Sequence, residues 1–383
     1  MARDAEQPFA ELPTALVQEM LNHTKDLSGE IATSLQEVRT QRMTWRTQLE
    51  NNRLLKREAE LSYVSTPTTC GVDGAFAIER LLSTDIIAAA AVAVEGLTPP
   101  SDTRFWPEPY HQVYFETEAH DADSGSVARA VMMGMELELA VNAPHDIVFL
   151  DGSLTTPLIY FNQALSKAEN TPHLQVSHYL LSRIKGFLSA YQTILKAQRT
   201  DKCWVAVPKY TARREIGQHL HWPESYDDRA ILSNILYPGE FVGPITLQAP
   251  DQPWHLNTTP VKAEERQEAD TLAQDITYRL IAIRVVYYRP FPWMPALRLE
   301  MSAAIADTTA RLASVIHAIK HQCGSAGMME PYPLYMADRM VKSLSTAIST
   351  FRQVTSQHLA ETYAGEINDV FLSLHGYRTE SGR

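Results

Sequence analysis

Two short stretches decide the fold of this chain: IVFLDGSL at residues 147–154 and CGVDG at residues 70–74. Each carries an Asp-Gly pair after apolar residues, with Asp151 in the first stretch and Asp73 in the second. Such a pair at the end of a strand can place a carboxylate where a hard metal ion binds. It is also a common turn signal. The pairs alone are compatible with a metal-dependent phosphodiester enzyme and with two ordinary turns. The other elements of the chain decide between these two interpretations.

The elements predicted around these pairs follow the order of a ribonuclease H-like core. A strand that ends at Asp73 is followed by an antiparallel meander of short-linked strands. Helical periodicity and apolar runs then predict a helix, a strand leading to Asp151, two helices and another strand. This α/β order predicts a mixed sheet flanked by helices. The predicted elements after Asp73 are strands at 75–82, 85–95, 111–116, 146–150 and 203–207, and helices at 124–140, about 157–168 and 174–198.

The N-terminal segment has apolar residues spaced three and four apart among many charges, from residue 12 to about 57. This spacing predicts a long amphipathic helix or a pair of helices, which either packs against its own domain or forms an arm or dimer contact. We expect a helical arm at 1–60, one compact domain at 61–350, and a C-terminal helix and tail at 351–383.

The later part of the chain is less regular in its pattern. Proline and glycine at 237–244 predict a break, followed by a polar linker to about residue 270. Strand and helix patterns alternate after this linker. They predict strands at 276–288 and 297–300, a helix at 302–323, a helix opening near Pro333, and further helix to about 374.

The composition is that of a globular protein, with 383 residues, 45% hydrophobic content and a net charge of −11. The acidic balance argues against a basic surface for non-specific nucleic-acid binding, but a metal site itself requires acids. Three separated cysteines give neither a disulfide framework nor a zinc pattern. No signal peptide or apolar run of roughly 20 residues is present. We therefore expect a cytoplasmic protein without membrane contact, and a solvated surface for the basic stretch 196–214.

A metal-dependent phosphodiester enzyme needs three or four carboxylates from different elements in one cleft. Mg²⁺ and Mn²⁺ both prefer such hard oxygen ligands. Asp73 and Asp151 would end two strands of one sheet, and the helix between them would bring Glu136 or Glu138 to the rim. These two glutamates lie about 200° apart on a helix, so at most one faces a metal. The apolar residues that flank Glu136 favour it, while a solvent-facing glutamate remains the alternative.

The chain resembles the NurA family, DNA-end-processing nucleases that act with the hexameric translocase HerA. The resemblance is carried by LELAVNAPHDIVFLDGSLTTPL at 137–158 and CGVDGAF at 70–76, with weaker matches over about residues 60–350. It implies a Piwi- or ribonuclease H-like fold, Mn²⁺ or Mg²⁺ dependence, and cleavage of DNA ends or single strands. It also implies a homodimer docked on a HerA ring. The weaker matches are WVAVPKYTARREI at 204–216, DDRAILSNILYPGE at 227–240, VVYYRPF at 285–291, LRLE at 297–300 and EPYPLYMAD at 330–338.

Carried over position by position, the resemblance implies Asp73, Asp151 and Glu136 as metal ligands. Lys209 falls where the family tends to have a basic residue near the site, which implies a contact to a DNA phosphate or to the transition state. The alternative for Lys209 is a solvated lysine after a strand.

The chain departs from the family pattern at two positions. Glu330 stands where the family has a tyrosine, and Asp338 stands where it has a histidine. An aspartate can replace histidine as a ligand of a hard cation, so Asp338 is a candidate ligand. A glutamate cannot replace a tyrosine hydroxyl without adding charge. The site is therefore either retuned with more acid or weakened in activity.

Two other functions are compatible with the sequence. An actin-like ATPase or sugar kinase also places Asp-Gly loops on a ribonuclease H-like sheet, but it needs Gly/Thr/Ser-rich loops after each aspartate. Residues 75–78, AFAI, lack that character. The second alternative is a degenerate DNA-binding or scaffolding subunit of a translocase complex, which Glu330 and Asp338 keep possible.

Overall fold

The computed structural model describes residues 12–382. Within these residues ten strands form one sheet. The strands are β1 (Leu55–Arg57), β2 (Thr69–Leu81), β3 (Asp85–Glu95), β4 (Tyr110–Glu118), β5 (Ile147–Asp151), β6 (Cys203–Val207), β7 (Glu240–Thr246), β8 (Ile283–Arg289), β9 (Leu297–Ser302) and β10 (Gly376–Gly382). The helices are α1 (Thr14–Asn51), α2 (Ser124–Asn142), α3 (Thr156–Asn170), α4 (Gln175–Lys196), α5 (Glu215–Leu220), α6 (Asp228–Ile235), α7 (Ala263–Leu280), α8 (Ala303–Ala306), α9 (Thr309–Gln322), α10 (Tyr332–Thr362) and α11 (Ile367–Ser373).

The sheet is mixed, with strand order β1-β7-β8-β9-β6-β5-β2-β3-β4, and β10 pairs with β2 beside this path. β2, β3 and β4 form an antiparallel meander. β5 then joins β2 in parallel, and β6 joins β5 in parallel. The four apolar residues of β5 and all of β6 are buried, as expected for parallel strands that are covered on both faces. The predicted ribonuclease H-like mixed sheet flanked by helices is confirmed.

The first Asp-Gly pair lies inside a strand, so the prediction that a strand ends at Asp73 is wrong. β2 runs without a break through both residues, with Asp73 opposite Val92 and Gly74 opposite Ala91 on β3. The long alanine-rich β3 pairs with β2 over its whole length and holds the backbone extended. A local turn signal was thus overridden by strand pairing.

Glycine at position 74 serves a close approach instead of a turn. A Cβ there would lie 2.5 Å from Glu136 Oε1 and 2.7 Å from Met132 Cγ, both on α2. Gly71 has the same role on the other face, because its Cβ would lie 2.5 Å from the backbone nitrogen of Leu334 in α10. Residues 71 and 74 point to opposite faces of the strand, since side chains alternate along it. The two glycines let a helix approach each face of β2.

Two segments after residue 236 differ from prediction. The stretch predicted to break regular structure, 237–244, includes the first five residues of β7. β7 pairs with β1 and β8 and shifts register between Val242 and Ile245, where Pro244 has no N–H to donate. The end of the predicted linker, from residue 263, and the start of the predicted strand at 276 belong to α7. Its buried stripe is spaced by four, three and four residues within a highly charged sequence, which hid the helical period. The stripe consists of Ala269, Ala273, Ile276 and Leu280.

The predicted N-terminal helix is present as α1. Its C-terminal turns pack on the domain through buried Trp45 and Leu49, and buried Arg46 forms an ion pair with Glu240 at 2.7 Å. Apolar side chains closer to the N-terminus of α1 are exposed to solvent. They are Leu16, Met20, Leu21, Leu27, Ile31, Leu35 and Met43.

In the described part of the chain, no helix combines the length and the apolar character needed to cross a membrane. Cys70, Cys203 and Cys323 are buried and carry free thiols. The expectation of a solvated surface for the basic stretch is wrong at Lys202, which is buried and donates a hydrogen bond to the carbonyl oxygen of Ala143. It is also wrong at Lys209, whose ammonium turns inward.

Candidate metal centre

Asp73 presents a buried carboxylate from the middle of β2. Its side chain is 3% exposed, and Oδ1 accepts a hydrogen bond from the N–H of Gly74 at 2.8 Å. Oδ2 is buried and has no hydrogen-bond partner. Burial, and next the charge of Asp151, raise the pKa of Asp73 to about 8. A buried oxygen without a partner is costly unless a cation or a proton satisfies it.

Asp151 lies beside Asp73 because of the parallel pairing of β2 and β5. Val72 is in register with Leu150, so the next residues of the two strands are Asp73 and Asp151. Registered residues of paired strands share a face of the sheet, which directs both carboxylates to the face that α10 covers. Gly152 follows with a φ of 75°, a conformation that glycine adopts without strain and that turns the chain away from the strand.

Asp338 completes the group from the second turn of α10 and is 5% exposed. Carboxylate oxygens of Asp73, Asp151 and Asp338 all lie within 4.8 Å of one another. α10 can bring Asp338 so near because Gly71 lets the start of the helix lie against β2. Three carboxylates from two strands and a helix therefore converge, and hard oxygen donors of this kind suit Mg²⁺ or Mn²⁺. The unpartnered Oδ2 of Asp73 also fits a divalent cation.

Lys209 and Glu330 lie at the edge of this group. The ammonium nitrogen of Lys209 is 3.1 Å from Asp338 Oδ1, 3.1 Å from Glu330 Oε2 and 3.5 Å from Asp151 Oδ2. Burial alone would lower the pKa of Lys209, but the negative charges of Asp151 and Glu330 outweigh burial and raise it. Burial raises the pKa of Glu330 against the opposing charge of Lys209. Lys342 of α10 forms a second ion pair with Asp338, with Nζ and Oδ2 2.7 Å apart. Two ammonium groups thus lie among the four carboxyl groups of Asp73, Asp151, Asp338 and Glu330.

The two glutamates of α2 point in different directions. Glu136 is 4% exposed, and its carboxylate packs against Gly74. It approaches β2 from the face opposite Asp73, and it is not a member of the group of three whose oxygens lie within 4.8 Å. Glu138 forms an ion pair with Arg183 of α4, at 2.5 Å. The structure therefore brings Glu136, and not Glu138, next to the strand that carries Asp73.

A buried ion-pair network behind Asp151 was missed in the sequence. Glu300 Oε2 accepts hydrogen bonds from Ser153 Oγ at 2.6 Å and from the N–H of Leu154 at 3.0 Å. Arg298 donates to Glu300 Oε1 at 2.8 Å, and it donates through two nitrogens to Glu215, at 2.7 Å each. The network fixes the loop that follows Asp151. The sequence does contain a signal for this network. Arg298 and Glu300 stand at alternate positions of the LRLE strand, on a face that must be buried, and buried charges need partners.

The NurA domain family matches residues 67–343. The NurA nuclease from Sulfolobus solfataricus has a similar structure, with 13% identity, a TM-score of 0.59, and coverage of 93% of this chain and 100% of that chain. A NurA structure with manganese is also similar, with 12% identity, a TM-score of 0.52, and coverage of 90% and 99%. No curated protein matches the chain. Because the family match spans most of the sequence, the chain belongs to the NurA family.

Proposed function

We propose that this protein is a metal-dependent deoxyribonuclease that hydrolyses phosphodiester bonds at DNA ends or in single strands, in the cytoplasm. The observation that carries the proposal is the convergence of Asp73, Asp151 and Asp338 within 4.8 Å. Membership of the NurA family supports DNA as the substrate. The similar fold of a NurA structure with manganese supports a divalent metal, either Mn²⁺ or Mg²⁺.

The proposed metal ligands are Asp73, Asp151 and Asp338, with Glu136 as a further ligand from α2. A bound divalent metal supplies Lewis-acid chemistry, which activates water and stabilises the leaving oxygen. Asp73 and Asp151 come from paired strands, and this rigid support keeps their carboxylates at a fixed separation. Glu136 is included because the family resemblance implies it and because its carboxylate packs against Gly74, the neighbour of Asp73 in β2.

Lys209 is proposed to bind the substrate phosphate and to stabilise the charge that develops on it. The raised pKa of Lys209 keeps its ammonium charged at neutral pH. Glu330 forms an ion pair with this ammonium, with Nζ and Oε2 3.1 Å apart, and fixes its position. Under this assignment Glu330 is a positioning residue, and the site is retuned with more acid at residue 330.

Cleavage of labelled single-stranded DNA in Mn²⁺ and in Mg²⁺ tests the function. We expect Asp73→Asn and Asp338→Asn to abolish cleavage, because each removes a charged ligand but keeps the side-chain volume. Glu138→Gln is the matched control, since this glutamate lies on α2 but pairs with Arg183, and it should cleave like the wild type. Full activity of either aspartate variant would contradict the assignment.

The same family membership leads us to propose a homodimer that acts with a HerA-type hexameric translocase. The exposed apolar side chains of α1, among them Leu27, Ile31 and Leu35, support a role for this helix in a protein contact. We also propose that residues 1–60 form an arm, 61–350 the nuclease domain, and 351–383 a C-terminal helix and tail. Light scattering of the chain with and without a HerA-type ATPase tests the two assemblies.

A weakened or non-catalytic subunit is the second candidate. It is favoured by Glu330 and Asp338, which stand at positions where the family pattern has a tyrosine and a histidine. A chain of this kind would bind the ATPase and DNA but would show no metal-dependent cleavage in either metal. Cleavage that depends on Asp73 and Asp338 would exclude it.

A further inference from the structure

An open cleft of about 790 Å³ lies directly beside the three carboxylates. Lys209 lines this cleft and also contacts Asp151 and Asp338, so the cleft and the carboxylate group share a wall. The other walls come from the segment after Lys209 and from the start of α6. The volume falls within the range of about 300–1,000 Å³ typical of ligand sites. A molecule held in the cleft would thus lie next to the proposed reaction centre.

Tyr210 is the exposed aromatic side chain of this cleft. It follows Lys209 in the chain, yet it is 93% exposed while Lys209 turns toward the acids. An exposed ring at this place offers a flat surface to a nucleobase, because every base has a face that can stack on an aromatic side chain. A base inside a duplex is stacked on both faces, whereas an unpaired base at a strand end or in a single strand has a face available.

The charges of the cleft suit a phosphate backbone. Lys209, Arg214 and Arg229 line it against two acidic residues, whereas the whole chain carries −11. Arg229 Nε donates a hydrogen bond to the carbonyl oxygen of Ala296 at 3.1 Å, which anchors the guanidinium. Burial lowers the pKa of Arg229, opposed by the charge of Asp227 and by the phenol of Tyr210, but a guanidinium remains protonated at neutral pH. A fixed positive charge therefore lies close to the tyrosine.

We propose that this cleft binds one or two unpaired nucleotides adjacent to the bond that is cleaved, with Tyr210 stacked on a base and Arg229 at a phosphate. The proposal rests on the nuclease function proposed above, since it takes the strand that enters the carboxylate group as its ligand. It adds a site for the substrate outside the carboxylate group and explains why the residue after Lys209 is an exposed aromatic.

Binding of a fluorescein-labelled single-stranded oligothymidylate, measured by anisotropy in EDTA, tests the cleft without any cleavage. Tyr210→Ala should weaken binding by about tenfold, in line with the loss of one base-stacking contact. Tyr210→Phe keeps the ring and should bind like the wild type. Tyr63→Ala is the matched control, because Tyr63 is 94% exposed and does not line this cleft, and it should also bind like the wild type.

The outcomes separate this proposal from the nuclease function. Equal binding by the wild type and Tyr210→Ala, or equal weakening by Tyr210→Ala and Tyr63→Ala, would overturn the cleft proposal even if the protein cleaves DNA. A tenfold loss confined to Tyr210→Ala would support the cleft, and this holds even if no variant cleaves DNA in Mn²⁺. A wild-type protein that does not bind the oligonucleotide would also overturn it.

Discussion

Ser153 donates a hydrogen bond to Glu300, with Oγ and Oε2 2.6 Å apart. This bond joins the loop after Asp151 to β9, which lies two strands away from β5 in the sheet. Glu300 is 1% exposed and is held in turn by Arg298, which is fully buried. A buried charge network is thus used to fix the backbone beside a proposed metal ligand, as outer contacts commonly do at metal sites.

Loss of this bond should weaken both metal binding and the fold. We expect Ser153→Ala to reduce Mn²⁺ affinity by about tenfold, because the loop that orients Asp151 loses one anchor. The free energy of unfolding should fall by about 1.5–3 kcal/mol, the value of a hydrogen bond to a charged group. Mn²⁺ titration followed by electron paramagnetic resonance and urea unfolding measure the two effects. Ser182→Ala, which removes a hydroxyl bonded within α4, should leave Mn²⁺ affinity unchanged, and a tenfold loss there would contradict this account.

The glycines beside Asp73 should resist substitution for a steric reason. Gly71→Ala would place a Cβ 2.5 Å from backbone atoms of α10, which have to move. We expect a loss of about 1–3 kcal/mol in the free energy of unfolding, typical of overpacking, together with weaker Mn²⁺ binding because Asp338 moves with the helix. Gly29→Ala is the control, since nothing lies within 4 Å of its Cβ position in α1, and it should stabilise the helix by up to about 1 kcal/mol. Wild-type stability of Gly71→Ala would refute the close approach.

The stability of the metal-free protein should depend on pH through Asp73. Its pKa is raised by burial and by Asp151 to about 8. The pKa of an aspartate in the unfolded chain is about 3.9, so between the two values only the folded state binds the proton. Proton binding by Asp73 contributes its full stabilisation below the pKa of the unfolded state. This stabilisation is lost as pH rises through about 8, at roughly 1.4 kcal/mol per pH unit. Urea unfolding in EDTA from about pH 6 to about pH 9 should show this decline, and Asp73→Asn should reduce the slope. Identical slopes for the two proteins would show that Asp73 is ionised when folded.

Loss of the Lys209 charge should lower the rate of catalysis without lowering the affinity for metal. Lys209→Met removes a cation that lies 3.1 Å from Asp338, so Mn²⁺ affinity should stay the same or increase. The kcat for DNA cleavage should fall by about 10²–10³, as it does when a group that stabilises transition-state charge is removed. Isothermal titration and single-turnover cleavage separate the two effects. Mn²⁺ affinity that falls together with kcat would instead make Lys209 a structural support of the carboxylates.

The sequence predicts an element correctly where the residues of that element alone define it. β6 has the predicted bounds, because its apolar run is closed at both ends by polar or proline residues. β5 and Asp151 were found for the same reason. Glycine at position 74 is locally a turn signal, so the sequence predicts a strand end at Asp73. Only the position of α2 shows that this glycine allows the helix to approach the strand. The sequence does not predict β7 because proline and glycine interrupt its apolar pattern. It does not predict α7 because many charged residues obscure the helical period.

The candidate site depended on contacts between distant parts of the chain. Asp73 and Asp151 meet through the register of two parallel strands, which no local pattern specifies. Glu300 was missed because it contacts Ser153 across 147 positions of sequence, within a strand that was recognised only by its apolar residues. A long-range ion pair of this kind can be recognised in the sequence only by a charged residue on a face that is predicted to be buried.

The central claim is that Asp73, Asp151 and Asp338 together hold a divalent metal. Isothermal titration of the metal-free protein with Mn²⁺ tests it most directly, comparing the wild type with Asp151→Asn and with the control Glu138→Gln. We expect saturable binding by the wild type and the control, and a loss of affinity of about 100-fold or more in Asp151→Asn, beyond the range seen for outer contacts. Equal Mn²⁺ affinity in all three proteins would contradict it.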